Sequence, residues 1–210
     1  GLAPGFVGIV GAHLAEQFDK VRSIRLRVGA LPQNPTGLLG YAFNWSPEGV
    51  VNEYLNDCEV LEEGVRKWVS AMEWRETLYV DGTQLEAFTT SGGLGTMCDS
   101  YEDRVANIDY KTIRYPGHCA QMRLLMNDLK LNFDRATLKR VLENAVPQTL
   151  QDVVIVYVAV AGRQDGELRE ENYVSKIYPQ VIAGRLWSAI QVTTAAGICA
   201  VVDLVMQNPG

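Results

Sequence analysis

Residues 152–161, DVVIVYVAVA, restrict the possible folds more than any other ten positions in the chain. Almost every side chain is apolar and most are β-branched, so the segment reads as a strand buried on both faces, inside a sheet that must be covered on each side. Gly162 to Gly166 then supply a turn, and a partner strand is expected from about Glu167. The dipeptide Asp81-Gly82, between extended runs at 77–80 and 84–88, predicts a second hairpin, because those residues accept the positive φ angles of a tight primed turn. Alternation predicts further strands over 21–28 and 106–115, and 29–40 reads as a loop. Helical spacing marks 6–19, 118–129 and 135–144. Ser46-Pro47-Glu48 opens another helix over 47–57, with Ser46 as its cap. The sum is an α+β fold with a mixed, mainly antiparallel sheet covered by helices.

A chain of 210 residues can bury roughly 70% of its unfolded surface around one core, so residues 1–210 are read as a single domain. Hydrophobic residues at 47% and charged residues at 21% exclude disordered and disulfide-scaffold classes. The net charge of −6 argues against a nucleic-acid partner, and Lys130, Arg135, Lys139 and Arg140 alternate with acids on what reads as a solvated helix face. The apolar run 187–206 is interrupted by Gln191, Thr193, Thr194 and Asp203, so a buried core helix is expected rather than a membrane span. Cys58, Cys98, Cys119 and Cys199 lack metal-ligand spacing. They read as reduced, mostly buried thiols of a cytoplasmic protein, with no metal.

Chemistry concentrates in residues 107–119, NIDYKTIRYPGHC. In an extended strand Ile108, Tyr110, Thr112 and Arg114 share one face, and Asp109, Lys111, Ile113 and Tyr115 share the other. Neither face is uniformly apolar, which points to a strand with at least one face lining a cleft, an edge strand with solvated charges being the alternative. Arg114 is the best candidate to grip a substrate carboxylate, since a guanidinium fork matches that group in a two-pronged contact. His118, just past a Pro-Gly turn, could act as acid or base or could simply cap a helix; His13 reads as structural. Glu86 and Asp109 are possible acids, while Glu48 and Glu53, five residues apart on a helix, do not face each other. The glycine-rich segment 91–96 lacks both the dinucleotide fingerprint and the phosphate-loop Gly-Lys-Ser/Thr, so a ligand or lid loop containing Thr90 and Ser91 is the better reading. No nucleophile elbow promotes Ser91 to a catalytic serine.

Taken in order, GLAPG at 1–5, GALP at 29–32, YAFNWSPEGVVNEY at 41–54, EAFTTSGGLGT at 86–96, YKTIRYPGH at 110–118 and SAIQVTTAAGICAVVDL at 188–204 resemble the second domain of the saccharopine dehydrogenase family. The YKTIRYPGH version resembles the bacterial lysine 6-dehydrogenase-like branch. That resemblance implies an excised piece of a longer chain whose Rossmann domain, absent here, binds NAD or NADP. It also implies a homodimer and hydride transfer at a carbon bearing nitrogen in an amino acid or amine. On this resemblance Lys111 and His118 are the candidate catalytic residues, and Arg114 and Tyr110 bind substrate. Asn44, Trp45, Ser46, Glu48, Thr90 and Ser91 shape the pocket. The fungal saccharopine reductases carry an arginine where Glu48 stands here, which disfavours a tricarboxylate such as saccharopine and favours a more basic amine such as lysine. A dimerisation, regulatory or amino-acid-binding module without catalysis is the alternative. The fragment alone is expected to show no turnover.

Overall fold

The computed structural model describes residues 1–208. After an irregular segment, Leu2–Phe6, the elements run α1 (Val7–Ala15), β1 (Lys20–Pro32), α2 (Pro47–Leu55), β2 (Cys58–Glu62), β3 (Val65–Val69), β4 (Glu76–Val80), β5 (Thr83–Thr89), α3 (Met97–Tyr101) and β6 (Asn107–Arg114). There follow α4 (His118–Arg123), α5 (Arg135–Ala145), β7 (Asp152–Gln164), β8 (Glu167–Ile177), a short pair β9 (Gln180–Ile182) and β10 (Arg185–Trp187), and α6 (Ala189–Gln207).

Eight strands form one sheet in the order β3-β2-β6-β1-β7-β8, with β5 also pairing β6 and β4 pairing β5. Only the β1–β6 pair is parallel, with Ile24 opposite Ile108 and Val28 opposite Thr112; the other pairs are antiparallel. The architecture is therefore α+β around a mixed, mainly antiparallel sheet, as the patterning predicts. The run 152–161 lies between β1 and β8, and its alternate side chains enter different cores: Val154, Val156, Val158 and Val160 pack under α1, and Val153 and Ile155 pack with Leu85 and Ile113. A third cluster joins α2, α4 and α5 through Val50, Val51, Tyr54, Met122, Leu138 and Leu142.

The hairpin at 81–82 forms with φ of 48° at Asp81 and 76° at Gly82. β1 extends to Pro32, beyond the expected end, because residues 29–32 continue the antiparallel pairing with β7, Gly29 opposite Ile155 and Pro32 opposite Asp152. Gly29 also lets β6 pass closely, since a Cβ there would lie 2.8 Å from both Ile113 Cβ and its carbonyl oxygen. The β2–β3 hairpin was not anticipated. Its turn places Glu63 at φ 54° before Gly64 at 78°.

Two expectations need correction. β6 is an interior strand, hydrogen-bonded to β1 on one side and to β5 and β2 on the other, so the solvated-edge alternative fails. The helix expected over 187–206 forms as α6, but it is not a core helix: of its described residues only Ala189 is buried, and Ile198, Val202, Leu204, Val205 and Met206 face outward. By length and composition alone, with mean hydropathy 1.8, α6 could cross a membrane. Its apolarity alone does not place it in this core: the helix rests on β7 and the Leu2–Phe6 segment along its first half, and its outward apolar face is left uncovered by the described residues. Its first turn is firmly anchored, since the fully buried Asp152 accepts the N–H groups of Ala189 at 2.6 Å and Ile190 at 3.0 Å.

Candidate functional site

A cavity of about 390 Å³ opens where β1, α2, β6 and the start of α6 converge on the segment at residues 1–4. The charged side chains on its wall are Arg114 and Glu53, accompanied by Trp45, Tyr110 and Thr112. Each is positioned by local structure. The β6 pleat turns Tyr110, Thr112 and Arg114 to one side. Ser46 caps α2, its hydroxyl accepting the Gly49 N–H at 3.3 Å, and Pro47 starts the helix, which sets where Glu53 points. Ser91 fixes the same turn, its N–H donating to the Glu53 carbonyl at 3.0 Å.

Arg114 is 3% exposed and carries no ion pair among the described residues. Its Nε donates to the Tyr54 hydroxyl at 2.9 Å, and Nη1 donates to Thr112 Oγ1 at 2.6 Å and to the Ile113 carbonyl at 2.8 Å. The guanidinium also lies 4.8 Å from the centre of the Tyr41 ring. Three N–H groups are thus committed and the two on Nη2 are open. A ligand carboxylate would meet one amino group rather than the two-pronged fork expected from sequence.

Glu53, which the sequence reading weighs only as a partner for Glu48 and sets aside, is the anion on this wall. Among the described residues no hydrogen bond or ion pair engages its carboxylate. Burial pushes its pKa up to about 7, with the Arg114 charge opposing the rise. The Tyr110 hydroxyl is likewise without a hydrogen bond among the described residues, and burial raises its pKa further above the ordinary 10.

His118 does not line the cavity. It is 2% exposed and lies behind Tyr54, its Nε2 3.0 Å from the Tyr54 hydroxyl and its Nδ1 2.8 Å from the Leu39 carbonyl. A carbonyl only accepts, so Nδ1 carries the proton, Nε2 accepts from Tyr54, and Tyr54 in turn accepts from Arg114. Burial, reinforced by the Arg114 charge and opposed by the Leu39 carbonyl, lowers the His118 pKa to about 3. A neutral imidazole with both nitrogens occupied is no proton shuttle near pH 7. It holds Tyr54, and through it Arg114.

Lys111 does not reach the cavity either, because strand alternation sends it to the opposite face. There Arg27 meets Glu76 at 2.5 Å and Asp109 at 2.8 Å, while Lys111 meets Glu76 at 2.7 Å. Burial works against ionising Glu76, but Arg27 and Lys111 outweigh it and hold that carboxyl below its ordinary 4.5. Two cations balance two anions, so the cluster is self-contained and Lys111 has no free role.

The other expected residues divide as follows. Trp45 lines the cavity, its indole N–H donating to the Tyr41 hydroxyl at 3.1 Å. Asn44 instead donates to Asp152 at 3.0 Å and braces the α6 anchor. Ser46 is the helix cap. Glu48 is exposed and pairs with Arg135 at 3.3 Å, so it bears on no substrate, and the preference for a basic amine drawn from it loses its support. Thr90 is buried away from the cavity with its hydroxyl unpartnered, and Ser91 Oγ donates to the Asn52 carbonyl at 3.4 Å. Glu86 is spent on the Cys119 N–H at 2.7 Å.

The glycine-rich segment has a packing role. A Cβ on Gly93 would fall 2.2 Å from the Tyr110 ring, and one on Gly49 would fall 2.3 Å from the Trp45 ring. These two glycines make flat seats for the aromatic cavity walls. With the Tyr110 ring filling the space before Gly93, the loop does not fit as a pyrophosphate cradle. A larger cleft, about 550 Å³, lies elsewhere between Lys20, Arg22, Glu63 and Arg104. It lacks a buried charge without a partner, so function is assigned to the smaller cavity.

Fold and cavity together define an α+β domain with a cavity whose wall carries one buried cation, Arg114, and one carboxylate, Glu53. Residues 1–210 match the Saccharopine dehydrogenase C-terminal domain, and the chain belongs to that family. Its fold is similar to that of apo saccharopine dehydrogenase (L-Glu forming) from Saccharomyces cerevisiae, with a TM-score of 0.68 at 15% identity, over 96% of this chain and 63% of that one. At that identity the likeness concerns the fold alone.

Proposed function

We propose that this chain is the substrate-binding domain of an NAD(P)-dependent oxidoreductase acting on the CH–NH group of an amino acid or related amine. The nicotinamide is carried by a separate dinucleotide-binding part of a longer, cytoplasmic, homodimeric protein. The observation that carries this reading is Arg114: a buried cation with no carboxylate partner and two free N–H groups at a cavity wall. Leaving a charge so buried and unpaired is expensive unless a ligand answers it. A ligand carboxylate placed on Nη2 would set the substrate carbon against Trp45 and Tyr110. The outward apolar face of α6 favours a dimer, because such a patch tends to be covered by another polypeptide.

A purely regulatory or dimerisation module is disfavoured by the same geometry, since it has no use for an unpaired buried guanidinium; an amino-acid-binding module without catalysis would use Arg114 in the same way, and turnover separates it from the enzyme. The test is turnover of the full-length protein with NAD or NADP and L-lysine, with saccharopine as the competing substrate. Arg114→Lys keeps the charge and loses the bonds that set it in place, and it is expected to lower kcat/KM by about a hundredfold or more. An unchanged kcat/KM would remove Arg114 from the substrate site.

A further inference from the structure

Arg114 accounts for one end of a ligand, and the same cavity lining carries a second charged side chain, Glu53. Glu53 sits on the buried side of α2, one residue before Tyr54, its backbone held by the helix cap at Ser46 and by the Ser91 N–H. Its carboxylate faces the cavity together with Arg114, with which it forms no ion pair. The other titratable groups around it are Tyr54 on α2, Tyr41 on the loop before α2, Tyr110 on β6 and Cys58 on β2. Burial raises the pKa of each, so all four are neutral at physiological pH and none can serve as its counter-ion. Lys111 and Arg27 are taken by Glu76 and Asp109 on the other face of the sheet.

We propose that Glu53 is the cation-holding residue of this cavity: its carboxylate receives the ammonium group of a ligand whose carboxylate rests on Arg114, so that the site selects zwitterionic amino acids over simple carboxylic acids and simple amines. This rests on the reading of the Arg114 cavity as the substrate site and adds the group that decides specificity there. It follows that ligand binding is coupled to protons. Burial leaves the empty-site carboxyl with a pKa of about 7, and an ammonium beside it favours the ionised form. Binding a zwitterion below that pH therefore releases a proton, whereas binding a simple carboxylate, which brings no cation to Glu53, does not.

Calorimetric titration of the full-length protein with L-norleucine, hexanoate and hexylamine tests this, since the three share a chain and differ in charge. At pH 8 norleucine is expected to bind at least about tenfold more tightly than either, the range of one charge-assisted hydrogen bond. Glu53→Gln should bring the norleucine-to-hexanoate ratio to within about threefold while hexanoate binds as before. In the unmodified protein the same ratio should fall as the pH is lowered from 8 to 5.5, a readout that does not depend on the variant folding. A ratio unmoved by both the substitution and the pH, with hexanoate still bound, overturns the role of Glu53 and leaves Arg114 in place. Binding of none of the three removes the site itself.

Discussion

Replacing Glu53 by Gln should stabilise the ligand-free protein at alkaline pH and lose that advantage in acid. The Glu53 carboxyl moves from an ordinary 4.5 to about 7 on folding. A raised carboxyl pKa means the folded state binds the proton more tightly than the unfolded state. Its contribution to stability is therefore full below pH 4.5 and disappears as the pH rises through 7. A pKa change of one corresponds to about 1.4 kcal/mol, so ionising Glu53 in the folded chain costs on the order of 3 kcal/mol, of which roughly 2.5 kcal/mol develops between pH 5 and 8. That figure is an upper bound, because the carboxylate keeps partial access to the cavity. Gln has the same shape and no charge, so the variant lacks this dependence. Urea unfolding of both proteins at several pH values isolates the effect, since every other titrating group cancels in the difference. The variant is expected to gain about 2 kcal/mol relative to the parent across that interval, or roughly 4–8 °C in Tm. A difference constant within about 0.5 kcal/mol would refute the burial argument.

His118 carries the opposite sign. Its pKa falls from 6.5 to about 3 on folding, so its contribution is present above pH 6.5 and is lost as the pH drops toward 3. His118→Phe should flatten the acid limb of the stability curve, and at pH 7 it should cost about 1–3 kcal/mol because the buried Tyr54 hydroxyl loses its acceptor. A variant that instead abolished turnover with unchanged substrate affinity and stability would restore His118 as a proton carrier. Gly93→Ala should drive the Tyr110 ring off its seat, cost about 1–3 kcal/mol and raise KM with little change in unfolding cooperativity; an unchanged KM would detach Tyr110 from the substrate wall.

Where the local pattern carried the physics, the fold was readable. The all-apolar run at 152–161 could only be interior, and Asp81-Gly82 could only be a primed turn. The β2–β3 hairpin escaped because Glu63, with no local preference for positive φ, occupies the first turn position and charges stand on both strands, CEVLE and VRKWV. The burial of α6 was misjudged for a different reason: apolarity states that a helix wants cover, and it does not state whose surface supplies it.

The site was half legible. Arg114, Tyr110 and Trp45 converge on one cavity, and the strand alternation that joined the first two already sent Lys111 to the other face. Assigning both Lys111 and Arg114 to one pocket therefore conflicted with the pleat. Glu53 was concealed by its type, since an acid on a helix normally points to water. A usable signal existed, because Glu53 lies three residues after Val50 and so on the helix face that Val50 buries. The roles of Asn44, Glu48 and His118 depended on partners 108, 87 and 79 positions away in sequence, which no local pattern reveals.

The most direct test of the account is a crystal structure of the full-length protein with an amino-acid substrate bound. The substrate carboxylate should lie within hydrogen-bonding distance of Arg114 Nη2 and its ammonium beside Glu53, under the Trp45 and Tyr110 rings. A substrate seated in the cleft between Lys20, Arg22 and Arg104, or anywhere that leaves Arg114 without an anion, would contradict it.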